Sequence, residues 1–261
     1  MKCRSVAFWM VGMVLVFGWS CAKRPAPIET PEAISTQELV ARVKARSSFF
    51  RSYQAKLQIA GQSPKGSFRF QAALAANPPD AFRLEAFTNW GQTAGVFLVQ
   101  KADARLWIPS EKVVYRAAHA EVLVQHFLGL SVPMEILGAS LIGAVPGDQL
   151  SSLQVHREHY GWRATSDFKA LNSEVSWQFL AAPPALKAIT VTGKGLGYDI
   201  GYEPQVELDM NSTPSRILFT SSQWQMEVKV SQMRINPDLP SAIFNIAFPQ
   251  GTREVDLDAG K

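Results

Sequence analysis

Cysteine is nearly absent from this 261-residue chain: Cys3 and Cys21 are the two, and both fall within the first 21 residues. Everything after them lacks the thiols for a disulfide staple or a thiolate metal site. Histidine is scarce as well, and the four present, His119, His126, His156 and His159, have no evident nucleophile as a partner. There is no Gly-x-Ser-x-Gly elbow, no His-Glu-x-x-His and no clear pair of carboxylates, so familiar arrangements for acyl transfer, zinc hydrolysis and acid–base work are missing. The stretch Gly193-Lys194-Gly195-Leu196-Gly197 lacks the Lys-Ser/Thr ending of a phosphate loop, and Ile200 stands where a dinucleotide fingerprint needs its third glycine. It reads as a glycine-rich hairpin. His156 and His159 would align as zinc ligands on a helix, but the region reads as a strand, where a spacing of three sends them to opposite faces. The sequence calls for no cofactor and no metal, and it reads as a binding protein, not an enzyme.

An excess of charge of one sign is also lacking. Lys plus Arg is 26 against 22 for Asp plus Glu, and with Lys2 and Arg4 counted as part of a leader the net charge falls from +4 to +2. The cations are interspersed with acids, which argues against nucleic acid as a partner. With 47% hydrophobic residues the chain is nonetheless too apolar to be disordered. Its leading apolar run, Val6 to Trp19, follows Lys2 and Arg4 and is too short to span a bilayer comfortably, so residues 1–20 read as a signal peptide. The run ends Phe17-Gly18-Trp19-Ser20-Cys21, which resembles a bacterial lipobox with Gly18 in place of the usual Leu. Lipidation of Cys21 is therefore expected, and residues 21–35, rich in proline, form a flexible tether. Ala22 is not the Asp that commonly retains lipoproteins at the inner membrane, so the expected location is the periplasmic face of the outer membrane.

The domain proper, 36–261, opens with a helix over 36–51, where Ser35 or Thr36 supplies the cap and Leu39, Val40, Val43 and Phe50 recur at helical spacing. The period then becomes two: Tyr53, Ala55, Leu57 and Ile59 form one face, and after a Ser63–Gly66 turn Phe68, Phe70, Ala72 and Leu74 form the next. Short connections join further strands as antiparallel neighbours. Two helices over 120–129 and 133–145 interrupt the series, Glu203-Pro204 divides two strands at 196–202 and 204–210, and Phe244, Ile246 and Phe248 suggest one last strand. The fold class is mainly β with helices: a single curved antiparallel sheet of about eleven strands, an incomplete barrel under a helical lid, because open sheets of this size curl.

The inward face of such a sheet is rich in large apolar residues, among them Leu57, Phe68, Phe70, Leu84, Leu106, Trp177, Trp224 and Met226, and the helices add Leu130, Met134, Leu137 and Leu141. That is more apolar surface than one helical stripe requires. One reading is an ordinary core beneath a plug. The other is a lipid-binding cavity lined by these residues, in which one 16-carbon chain gains on the order of 10 kcal/mol at about 0.8 kcal/mol per methylene, before opposing costs.

The runs Phe127-Leu128-Gly129-Leu130-Ser131-Val132-Pro133 and Leu141-Ile142-Gly143-Ala144-Val145-Pro146-Gly147-Asp148 resemble the helical region of LolB, the outer-membrane lipoprotein insertase of the LolA/LolB carrier superfamily. Thr88-Asn89-Trp90-Gly91-Gln92-Thr93 is similar to the LolB hairpin that projects an apolar residue towards the membrane, with Trp90 for the usual Leu and no preceding Pro. The resemblance covers about residues 36–235, and the chain continues past the family's usual C-terminus. It implies a monomeric carrier that takes lipoprotein acyl chains from a LolA-like periplasmic carrier and inserts them in the outer membrane, with Trp90 as the membrane-inserting residue and no cofactor. The alternative is an envelope assembly lipoprotein of the same fold that binds another protein or a different lipid.

Overall fold

The computed structural model describes residues 34–101, 103–168, 172–193 and 196–259. The expected signal peptide, Cys21 and all but the end of the tether lie outside the described residues. Helix α1, Thr36–Phe49, starts where the Ser35 Oγ accepts the Glu38 N–H at 3.1 Å, and it buries Leu39, Val43 and Arg46 on one stripe. Strands β1 (Tyr53–Ser63), β2 (Gly66–Asn77), β3 (Ala81–Phe87), β4 (Thr93–Gln100), β5 (Asp103–Ile108) and β6 (Val113–Ala117) then form an antiparallel meander. Helices α2 (Ala120–Leu128) and α3 (Met134–Ile142) follow, each closed by a glycine in the left-handed region, Gly129 and Gly143. A second meander runs through β7 (Gln154–Glu158), β8 (Gly161–Phe168), β9 (Ser173–Ala181), β10 (Pro184–Gly193), β11 (Leu196–Glu207), β12 (Arg216–Ser221) and β13 (Gln225–Ile235), and β14 (Arg253–Asp256) ends the series.

All fourteen strands belong to one curved, open sheet in the order β14-β6-β5-β4-β3-β2-β1-β13-β12-β11-β10-β9-β8-β7. Pairing of β1 with β13 joins the two meanders into a continuous surface. The count exceeds the expected eleven or so, and the four-residue β14 is a strand that no alternating apolar pattern marks. The segment at Glu203-Pro204 also differs from expectation. It does not divide two strands: β11 runs through it, while Tyr202–Gln205 drop out of register with β10, as a proline without an N–H requires. Phe244 to Phe248 form no strand. Ser241–Phe244 is a short 3₁₀ turn whose Ile243 carbonyl accepts Arg83 at 2.8 Å, and Phe248 lies 6.2 Å from Trp107, so this segment straps the outer face of β3–β5 and covers Val96 and Leu98. Beyond it β14 pairs with β6 in parallel, the one parallel pair among the described residues.

Candidate functional site

The inner face of the sheet carries two cavities at opposite ends. One is about 270 Å³ and is lined by β1–β5, β13, α2 and α3 without a single polar side chain. Its wall residues Ala86, Ala94, Gly95, Ile108 and Met226 lie at the strand ends that meet the β3–β4, β5–β6 and β12–β13 turns. Leu57, Phe70, Leu84, Leu106, Leu130, Leu137, Leu141 and Met226 all stand on this wall. Ile59, Phe82, Phe97, Ile108, Leu123, Val124 and Phe127 also line it. They were legible in the alternation of β1, β3, β4 and β5 and in the stripe of α2, but sequence reasoning did not single them out for the cavity.

Four expected wall residues are elsewhere. The Phe68 ring folds over Gly61 beside Phe70, short of the cavity. Met134 faces the second cavity. Trp177 is fully buried on β9 between Ala164 and Ile189, and Trp224 packs 5.6 Å from the Tyr198 ring. The causes differ: Trp177 faces inward on β9 among fully buried neighbours, whereas Trp224 sits in the turn between β12 and β13, outside the alternation of either strand.

The lid is held by specific polar contacts. The Glu121 carboxylate on α2 accepts the Met134 N–H at 2.9 Å and so caps α3, whose own N-cap, Pro133, has no side-chain acceptor. At the other end of α3, the buried Arg46 guanidinium donates to the carbonyls of Gly143 at 2.8 Å and Ile142 at 2.6 Å, and also to those of Asp209 and Ser212. A cation is favoured there by the unpaired carbonyls of a helix C-terminus. Burial lowers the Arg46 pKa to about 10, Asp209 and Tyr202 opposing, which leaves it charged at neutral pH. Tyr53 and Tyr202 donate to the Gly138 and Ser140 carbonyls at 3.0 and 3.2 Å. Arg46 was a missed residue with a readable signal: it occupies the apolar stripe of α1 with Leu39, Val43 and Phe50.

Just beyond Ala86 and Ala94, the β3–β4 hairpin is closed by Thr88 N–H to Gln92 O at 2.8 Å and by Gly91 N–H to Thr88 O at 2.9 Å, with Gly91 at φ 77°. Trp90 at its tip is 91% exposed. The second cavity, about 720 Å³, lies at the other end of the same face, where Tyr53, Ala76, Ala81 and Val99 meet α3, and it is ringed by Asn77, Lys101, His119, Glu121, Glu135 and Asp148. Partial withdrawal from water, helped by Glu121 and Asp148, raises the Glu135 carboxyl above its usual range against its own backbone N–H and His119. Among the described residues no group of three or more His, Cys, Asp or Glu is placed to hold a metal ion, and no helix is long and apolar enough to cross a membrane. His156 and His159 lie exposed on β7 and the following turn. An apolar chamber without a titratable or nucleophilic wall group can shelter a hydrocarbon, and its wall offers nothing for bond-making.

No protein-family model matches the chain, and no curated protein matches it. Solved structures do. A DUF1329 family protein from Desulfovibrio piger superposes with a TM-score of 0.59 at 11% identity, covering 80% of this chain and 95% of that one. A domain named for outer-membrane lipoprotein sorting, from Vibrio parahaemolyticus, gives 0.50 at 12% with the same coverage. A LolA superfamily protein from Nitrosomonas europaea gives 0.49 at 13%, over 82% of this chain and 99% of that one. At such identities the first two likenesses establish the fold.

Proposed function

We propose that this protein is a LolB-like carrier that shelters acyl chains of lipoproteins in its apolar cavity and delivers them to the outer membrane. The observation that carries the reading is the placement of an all-apolar chamber directly under the hairpin whose tip is the exposed Trp90. Indole favours the bilayer interface, where its ring is in apolar surroundings and its N–H finds a polar partner. Neighbouring turns at the same sheet end carry Lys65 and Lys112, both exposed, which suit an anionic lipid surface. The fold shared with a domain named for lipoprotein sorting supports the same reading.

Transfer then needs no covalent step. Cargo passes from a LolA-like periplasmic carrier to this cavity and on to the bilayer, each step driven by stronger shelter of methylenes at about 0.8 kcal/mol apiece. Cys21, diacylated, tethers the carrier to the periplasmic face of the outer membrane. At about 270 Å³ the chamber sits just under the roughly 300–1,000 Å³ of typical ligand pockets. It suits one acyl segment.

Native mass spectrometry of the full chain tests the reading: co-purifying lipid or lipoprotein is expected, and an empty protein with a stable protein partner would favour the envelope-assembly alternative. Trp90→Glu should leave the fold and acyl binding unchanged, because the indole touches little of the domain, while abolishing lipoprotein insertion into liposomes. Insertion at the unchanged rate would remove Trp90 from the mechanism.

A further inference from the structure

The two cavities share one wall. Phe82 lines both, is 7% exposed, and packs edge-on to Phe97 at 6.3 Å. Helix α3 divides them in the same way: Leu137 and Leu141 face the apolar cavity, while Met134, Gly138 and Ile142 face the larger one. Polarity changes across that divide. The apolar cavity offers a head group no hydrogen-bond partner from any side chain, and burying an ester or carboxyl there unpaired costs several kcal/mol on transfer scales. Beyond Phe82 the wall is at first still apolar, through Val99, Ala120 and Met134, and then becomes polar, with Asn77, Lys101 and His119 on its rim together with the acids Glu121, Glu135 and Asp148. The head is therefore met by donors on the Asn77–Lys101 side, and the acids favour an uncharged ester over a carboxylate.

We propose that the two cavities are the two chambers of one amphiphile site, with Phe82 as the partition. The methyl end of an acyl chain lies in the apolar chamber, the chain passes beside the Phe82 ring, and the carboxyl or ester head lies in the larger, polar-rimmed chamber. This inference rests on the acyl-binding reading above and adds an orientation: the head points away from the Trp90 hairpin, so the chain terminus reaches the membrane side first. Phe82 is a positioning residue, since its ring must turn aside for the chain to thread.

Two photoreactive palmitates test it on the full chain, one with a diazirine near the methyl end and one with a diazirine beside the carboxyl. Cross-linked peptides are mapped by mass spectrometry. The methyl-end probe is expected on the β4 and β5 walls around Ala94, Gly95 and Ile108, and the carboxyl-end probe around Asn77–Ala81, Lys101 and His119. Capture of the carboxyl-end probe on the Trp90 side, or of both probes in one chamber, overturns the orientation while leaving acyl binding intact. Capture of neither overturns the acyl-binding reading and this inference with it. Phe82→Leu, which thins the partition, should speed labelling of the apolar chamber several-fold, and Phe82→Trp, which thickens it, should slow that labelling without changing capture in the larger chamber. Equal rates in both variants, each checked for a native melting transition, would deny Phe82 the role.

Discussion

The two halves of the sheet are written in the same alternating code and have opposite interiors. Over β8–β12 the inward residues Trp162, Trp177, Ile189, Ile200 and Phe219 are all at or below 1% exposure, and α1 with the Gly147–Ser151 turn lies against this flank through β7 and β8. Over β3–β5 the inward residues Leu84, Ala86, Phe97, Leu106 and Ile108 are only half-buried, although α2 packs against β5 and β6 beside them. The difference is volume. Tryptophans fill one half, whereas Ala86, Ala94 and Gly95 leave the other short of atoms under its lid. Interiors normally pack like organic crystals, and the half that does not leaves an apolar hollow under its lid.

The largest effects should come from emptying the packed half. Trp177→Ala removes a fully buried indole with no room to collapse and is expected to cost about 3–5 kcal/mol in urea unfolding. Leu84→Ala, on the wall of a space already empty, should cost clearly less than the roughly 2–5 kcal/mol of an ordinary core Leu→Ala. Equal costs would mean that the two halves are packed alike in solution. Arg46→Leu comes next: it strips four backbone carbonyls of a charged donor, each such bond contributing roughly 1.5–3 kcal/mol. A loss of about 3 kcal/mol or more is expected, and hydrogen exchange should quicken in α3 before the sheet.

A gentler pair reverses the sign of the comparison. Ala164 is fully buried in the packed half, and Ala164→Leu should overpack it at about 1–3 kcal/mol. Ala86→Leu adds the same atoms to the apolar cavity and should leave the melting temperature unchanged or raised while weakening acyl binding. Calorimetry and a fatty-acid binding assay read both. Destabilisation by Ala86→Leu would show the hollow to be closed in solution.

How much of this was legible in the sequence follows the same divide. Alternation told which residues face inward, and Leu57, Phe70, Leu84, Leu106 and Met226 line the apolar cavity on that face. It could not tell Leu84 from Trp177, because both point inward and only the helices above decide which space stays open. The end of the chain was hidden for another reason. Strand β14 is short and charged, and it is held by backbone bonds, Arg253 N–H to Lys112 O and Leu257 N–H to Arg116 O, both at 2.9 Å. Such bonds leave no side-chain pattern. Phe244 and Phe248 had a strand-like pattern but serve to cover the outer face of β3–β5.

The smallest effect concerns the polar rim between the halves, and it has a defined sign. The Glu135 carboxyl has its folded-state pKa raised, chiefly by partial withdrawal from water and further by Glu121 and Asp148. A raised carboxyl holds its proton better in the folded state than in the unfolded one. Its contribution is therefore fully present below the ordinary carboxylate range and is lost as pH rises through the folded-state value. At neutral pH Glu135→Gln should raise the melting temperature by a small amount, and by less at acid pH, below the ordinary carboxylate range, because the contribution of the raised carboxyl falls as pH rises. A gain of equal size at both pH values would trace the effect to packing. A loss at neutral pH would mean that the carboxylate has a partner in solution, which would make the rim of the larger chamber a poorer place for an uncharged ester head than for a cationic one.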